Sequence, residues 1–160
     1  MRFLMRLLAP ALFWFTFMLF RASPFKRSER KHRLLMKWFR FAADNGSEKA
    51  LSVYGHLLHF RGEGVQNRIQ GGIYLQRAAE KGDSKACFQM GKIYESGFEH
   101  YFQPDQARAL SFYRKAAEAG HQLAIRRLAD AYDAGELGLE VDKAEAGRWS
   151  DRLPEIPGGR

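Results

Sequence analysis

His56 and His59 stand three residues apart, a spacing that puts two imidazoles on one face of a helix, and Glu63 follows closely. Those three residues could begin a metal site. A zinc site held by protein needs three or four ligands, and no second histidine pair or cysteine pair exists to complete it. Asp130 and Asp133, with Glu136 beyond, could meet a cation, but acids at such spacings ordinarily form a solvated helix face. His100 lies in the loop phrase Glu99-His100-Tyr101-Phe102 and reads as a loop residue, not a base. Serines and aspartates are scattered, with no nucleophile elbow and no triad cue. The glycine-dense phrase Gly62-Glu63-Gly64-Val65 makes no phosphate loop. Cys87 is the only cysteine, so it reads as a small core filler. These residues describe no enzyme, and they call for no cofactor, no metal and no small-molecule substrate.

The elements that position these residues come from an internal repeat. Ala78-Ala79-Glu80-Lys81-Gly82-Asp83-Ser84-Lys85-Ala86 has a counterpart 36 residues earlier, at Ala42 to Ala50, and another 38 residues later, at Ala116 to Ala124. Self-similarity at such a period marks a stack of helical units. Each copy reads as a helix end, a turn and a helix start. Gly46, Gly82 and Gly120 stand where a helix C-terminus takes a left-handed residue. Ser47, and Asp83 or Ser84, are placed to cap the next helix. In that helix the inner face reads Ala50, Tyr54, Gly55, Leu58; then Ala86, Met90, Gly91, Tyr94; then Ala124, Leu128, Ala129, Tyr132. Gly62, Gly97 and Gly135 close the three helices, and Asn67, Asp105 and Asp142 stand as N-cap candidates for the partners. An aromatic slot follows seven residues on, at Tyr74, Phe112 and Trp149, with Trp38 in the same slot of an earlier, incomplete unit. The pattern predicts helices over about 30–44, 47–60, 68–80, 84–95, 105–118, 121–133 and 142–152. Gly71, inside one of these helices, reads as a point of close packing.

These residues resemble the Sel-one-like repeat family, a relative of the tetratricopeptide repeat. Gly55, Gly62, Gly64, Val65, Tyr74, Ala78, Ala79 and Gly82 match its pattern in one unit. Gly91, Tyr94, Gly97, Asp105, Ala109, Phe112, Ala116, Ala117 and Gly120 match in the next. The segment Phe98 to Gln103 departs from the pattern, and Arg152-Leu153 replaces an alanine pair. The resemblance implies an all-α fold: a right-handed α-solenoid of antiparallel helix pairs, about three and a half repeats over 34–153; the tail at 154–160, with two prolines, two glycines and no periodicity, reads as disordered. It also implies a non-enzymatic adaptor that binds an unknown protein or peptide partner on a concave face. The candidate contact residues are Ser52, His56, His59, Gln89, Lys92, Ile93, Arg126, Arg127 and Asp130, with Phe98, Tyr101 and Phe102 as a second, loop patch.

Charge and hydropathy separate the N-terminus from the repeats. Residues 1–33 carry eight Lys/Arg against Glu29, a formal +7 of the chain's +8. The remainder is near neutral, which argues against a nucleic-acid partner. Leu7 to Phe20 is uncharged and almost wholly apolar. Residues 1–22 therefore read as a hydrophobic transmembrane helix, short against the roughly 20 residues of a full crossing. Residues 23–33 read as a basic juxtamembrane linker, also a candidate for anionic lipid. A cleaved signal peptide is disfavoured by Phe20, and an in-plane helix by the lack of a polar face. The expectation is a single-pass protein of a bacterial inner membrane. Flanking charge puts its repeats on the cytoplasmic side, with the periplasm as the alternative. An accessory subunit of a membrane complex is the alternative role.

Overall fold

Eight helices form among the described residues, and the alanine–glycine phrases mark the corners between them. The computed structural model describes residues 2–21 and 29–154, with side chains described over 8–19, 21 and 33–154. The linker expectation for 23–33 falls largely outside the described residues, and so does the disordered-tail expectation beyond Pro154. The chain divides into two compact units, Met1–Asp83 and Ser84–Arg160.

The first unit holds α1 (Arg2–Arg21), α2 (Glu29–Asp44), α3 (Glu48–Arg61) and α4 (Gly64–Glu80). The second holds α5 (Ser84–Ser96), α6 (Gln106–Glu118), α7 (Gln122–Ala134) and α8 (Lys143–Ser150). The all-α expectation and six of the seven predicted helix starts agree with these bounds to within one residue. The exception is α4, which begins at Gly64 instead of 68. Only Gly62 and Glu63 separate it from α3, which leaves no room for a capping loop. Asn67 therefore lies inside the helix, and its Nδ2 donates to the Glu63 carbonyl at 2.7 Å. Asp105 and Asp142 do cap: their carboxylates accept from the backbone N–H of Arg108 and Glu145, each at 2.9 Å.

The corner geometry recurs. Gly46, Gly82 and Gly120 have φ of +95°, +93° and +82°. In each corner the N–H after the glycine bonds back across the turn: Ser47 to the Ala42 carbonyl at 3.0 Å, Asp83 to Ala78 at 3.1 Å, His121 to Ala116 at 3.0 Å. This is the six-to-one bond of a Schellman motif, and it satisfies carbonyls that a helix end leaves over.

The inner faces bury as the spacing predicts. Ala50, Ala86, Met90, Ala124 and Leu128 are fully buried, and Cys87 with them, while Leu58 and Tyr132 are half-buried. Gly55 and Gly71 bring α3 and α4 into backbone contact. A Cβ on Gly55 would lie 2.9 Å from the Leu75 nitrogen, and one on Gly71 would overlap the His59 backbone. The two helices run antiparallel, with Tyr54 edge-on to Tyr74 at 4.9 Å and His59 beside Arg68. The aromatic slot serves the same purpose in the second unit, where Phe112 lies parallel to Tyr94 at 5.8 Å.

The N-terminal expectation is corrected. A helix does form over Arg2–Arg21, but among the described residues no helix is long and apolar enough to cross a membrane. The single-pass location, its sidedness and the membrane as a partner lose the support they drew from that span. Part of the helix's apolar surface has a protein partner instead. Ala9, Phe13 and Thr16 are buried on one stripe, and Phe13 meets Phe39 of α2 at 5.9 Å. The pair α1–α2 thus supplies the half that the first repeat lacked in sequence. Ala9 and Phe13 repeat the four-residue step of Ala50 to Tyr54 and Ala86 to Met90.

Two glycines in helices should respond oppositely to a methyl group. Gly71→Ala forces α3 from α4 and should destabilise the chain by about 1–3 kcal/mol. Gly147 in α8 has nothing within 4 Å of a Cβ, so Gly147→Ala should stabilise by about 0.5–1 kcal/mol. Urea unfolding of the two variants beside the parent checks both signs.

Candidate functional site

The stripe of each first helix that does not face its partner is where the sequence places contact residues. In the second unit that stripe forms a groove. Phe88, Lys92 and Glu95 lie on α5 at steps of four and three. Leu123, Arg126, Arg127 and Asp130 lie on α7, also within two turns. With Tyr113 of α6 and Ser96 they line an open groove of about 450 Å³.

The floor is set by packing. Gly91 carries no side chain, and the Tyr113 ring occupies the space, 2.6 Å from where a Cβ would stand. Phe88 is held between that ring at 5.8 Å and the His121 imidazole at 4.6 Å. The Tyr113 hydroxyl then emerges beside Glu95 and donates to its Oε2 at 2.6 Å.

The wall is an ionic network. Arg127 of α7 donates from Nη2 to Glu95 Oε1 and from Nη1 to Glu136 Oε2, the latter at 2.6 Å. Burial alone pushes the Glu95 carboxyl up. The hydrogen bonds from Arg127 and Tyr113, with the positive charge of Arg127 and Lys92, outweigh it and hold the group below its ordinary value. Burial and the Glu95 carboxylate together raise the Tyr113 phenol. The hydrogen bond to Glu95 is the main cause that raises the Arg127 guanidinium. Arg127 is therefore a fixed cation that ties α5 to α7.

The predicted contact residues divide. Lys92, Arg126, Arg127 and Asp130 come together in this groove. Gln89 and Ile93 are buried on the same helix and are core, not contact, residues. Ser52 and His59 of α3 are buried as well. Ser52 donates to Asp83 at 2.9 Å, and His59 Nδ1 donates to the Arg68 carbonyl at 3.2 Å. His56 is half-buried with its Nδ1 on the Ser52 carbonyl at 2.8 Å. Four of the nine predicted contacts thus fail on burial. Three of the four are polar, Ser52, His59 and Gln89, and their types suggest a surface that packing denies them. The loop patch also divides: Phe102 is 4% exposed against Tyr94, whereas Tyr101 is 57% exposed. A bridge between Phe98 and Phe102 closes that loop, with Glu99 and His100 in left-handed conformation at its tip.

Sequence reasoning missed Phe88, Glu95, Tyr113 and Leu123. The signal was present at Phe88 and Leu123, which share the stripes of Lys92 and Arg126. It was passed over because apolar residues in a repeat helix read as core. No group of three or more His, Cys, Asp or Glu placed to hold a metal forms among the described residues.

Comparison with known proteins follows the same frame. The family model described as the Sel1 repeat matches residues 36–47, 49–83, 84–121 and 122–152. The chitin synthase regulator SKT5 of Saccharomyces cerevisiae is 30% identical over 114 residues, covering 66% of this chain and 16% of that protein. Chitin synthase regulatory factor 1 of Schizosaccharomyces pombe is 27% identical over 126 residues, covering 77% of this chain and 27% of that protein. The chain thus spans about a quarter or less of the curated relatives it matches. Among solved structures, a Sel1 repeat protein from Oxalobacter formigenes aligns with a TM-score of 0.67 at 23% identity, over 80% of this chain and 50% of that one. The protective antigen c5321 of uropathogenic Escherichia coli, which displays an SLR fold, aligns with a TM-score of 0.63 at 29% identity, over 74% and 25% of the two chains.

The Glu95 tie carries a pH signature. The folded-state value of Glu95 lies below the unfolded value of 4.5. Its ionised form therefore stabilises the fold above that pH, and the contribution fades as pH falls through the folded value. Wild type should exceed Glu95→Gln in thermal midpoint at neutral pH. The gap should narrow as the pH falls below the ordinary carboxylate range.

Proposed function

The chain belongs to the Sel1 repeat family, and from that premise we propose that it is a non-enzymatic interaction adaptor whose second unit binds a partner protein in the α5–α7 groove. The observation that carries this reading is the groove itself. It joins exposed apolar surface at Leu123 to charged side chains on both walls, and the Glu95–Arg127 tie fixes those walls. A site preordered in this way binds without first ordering its own side chains. The two curated relatives are named as regulators of an enzyme, which fits a role exercised through binding. The adaptor regulates or assembles what it binds, and the chemistry, where there is any, belongs to the partner.

Site-specific photocrosslinking in cells tests the location. A benzoylphenylalanine at Leu123 should give a discrete adduct, and one at Lys115, exposed on α6, should not. Equal adducts at the two positions, or none at Leu123, would contradict the assignment.

A further inference from the structure

The groove of the second unit holds more positive charge than its own network uses. Arg127 is consumed by Glu95 and Glu136. Lys92 and Arg126 are exposed, line the same groove, and take part in no ion pair among the described residues. Asp130 is the one acid there without an ion pair among the described residues, and the charge of Lys92 also acts on Glu95, so the lining as a whole sets three cations against two acids. The same groove presents an apolar surface. Leu123 is 56% exposed, and Phe88 is half-buried with its ring set by Tyr113 and His121. Apolar anchor points beside unneutralised charge are the two ingredients of peptide recognition. The first supplies affinity and the second supplies register and choice of partner.

Resting on the reading of this groove as the interaction site, we infer that its occupant is a peptide segment of a partner protein that carries carboxylates next to bulky apolar side chains. The apolar side chain lies against Phe88 and Leu123. The carboxylate lies by Lys92 and Arg126, both of which donate and neither of which has to give up an internal partner. Asp130 disfavours a purely acidic run, because a further carboxylate would meet a like charge. It is also available to accept a backbone N–H of the segment. A basic segment is disfavoured by the same accounting, since it would meet Lys92 and Arg126 with Asp130 as the one acid without an ion pair to oppose them. The Glu95 carboxylate is no remedy, as it already accepts from Arg127 and Tyr113.

Fluorescence anisotropy on the full chain with four labelled peptides tests the chemistry. The probes are Ser-Gly-Leu-Asp-Phe-Glu-Gly-Ser, the same peptide with Asn and Gln for its acids, the same with Lys for both, and the same with Ser for Leu and Phe. The acidic–apolar peptide should bind tightest, and the Lys peptide and the Ser peptide should each be weaker by about tenfold or more. Its affinity should fall with added salt. In the Lys92→Glu, Arg126→Glu double variant the order of the acidic and Lys peptides should invert. Both positions are exposed, and the variant's thermal midpoint is read beside the parent's so that a loss of fold is told from an inverted preference. The inference is overturned if the neutral or basic peptide binds as tightly, if the double variant leaves the order unchanged, or if no peptide binds. Any of these alongside a persistent crosslink from Leu123 leaves the groove as the interaction site and removes only its assigned chemistry. Loss of the crosslink as well removes both.

Discussion

Two helices can approach to backbone contact only where the side chain between them is absent or a single methyl group. That constraint organises this chain. In the first unit Gly55 and Gly71 face each other's helices, and neither site has room for a Cβ. In the second, Gly91 gives its space to the Tyr113 ring. The alanines at Ala42-Ala43, Ala78-Ala79 and Ala116-Ala117 are buried near the ends of the second helices, each pair ending three residues before a left-handed glycine. Once these small residues fix the approach of each pair, the faces of the first helix are assigned. One face is spent on the partner helix, and the other is left to whatever the chain meets.

That assignment explains what the sequence reveals and what it conceals. A repeat states its corners three times, so glycine, alanine and aromatic slots can be aligned against one another, and helix starts follow closely. Departures occur where a unit is locally unlike its neighbours. The two-residue link before α4 removed the capping role of Asn67. Hydropathy alone gave 1–22 to a membrane, because a run of Phe and Leu reads the same whether lipid or another helix covers it. The spacing of Ala9 and Phe13 held the other answer, a first helix whose buried stripe meets Phe39.

The site was half legible for a related reason. Polar residues on a repeat helix read as surface, yet Ser52, His59 and Gln89 are buried, and Ser52 and His59 bond to groups on other elements of the unit. Apolar side chains in a repeat helix do not all serve its core: Leu123 is exposed and Phe88 borders the groove. The Glu95–Arg127 tie spans 32 residues and has no pattern in sequence, because it depends on which rotations of α5 and α7 the packing around Tyr113 permits. Its effect is to hold a guanidinium and a carboxylate in place between α5 and α7, with Lys92, Arg126 and Asp130 exposed beside them.

The account turns on recognition residing on the outer stripes of α5 and α7 and not on the helix between them. A glutamate scan in the full chain measures this directly. One set replaces exposed groove positions, Lys92, Leu123 and Arg126. The other replaces exposed α6 positions, Ala107, Ser111 and Lys115. For each variant, capture of the crosslinked partner is read beside the unfolding midpoint. The account predicts that capture is lost only in the first set, with midpoints unchanged. Losses that fall on α6, or that follow the midpoints wherever the substitution stands, would contradict it.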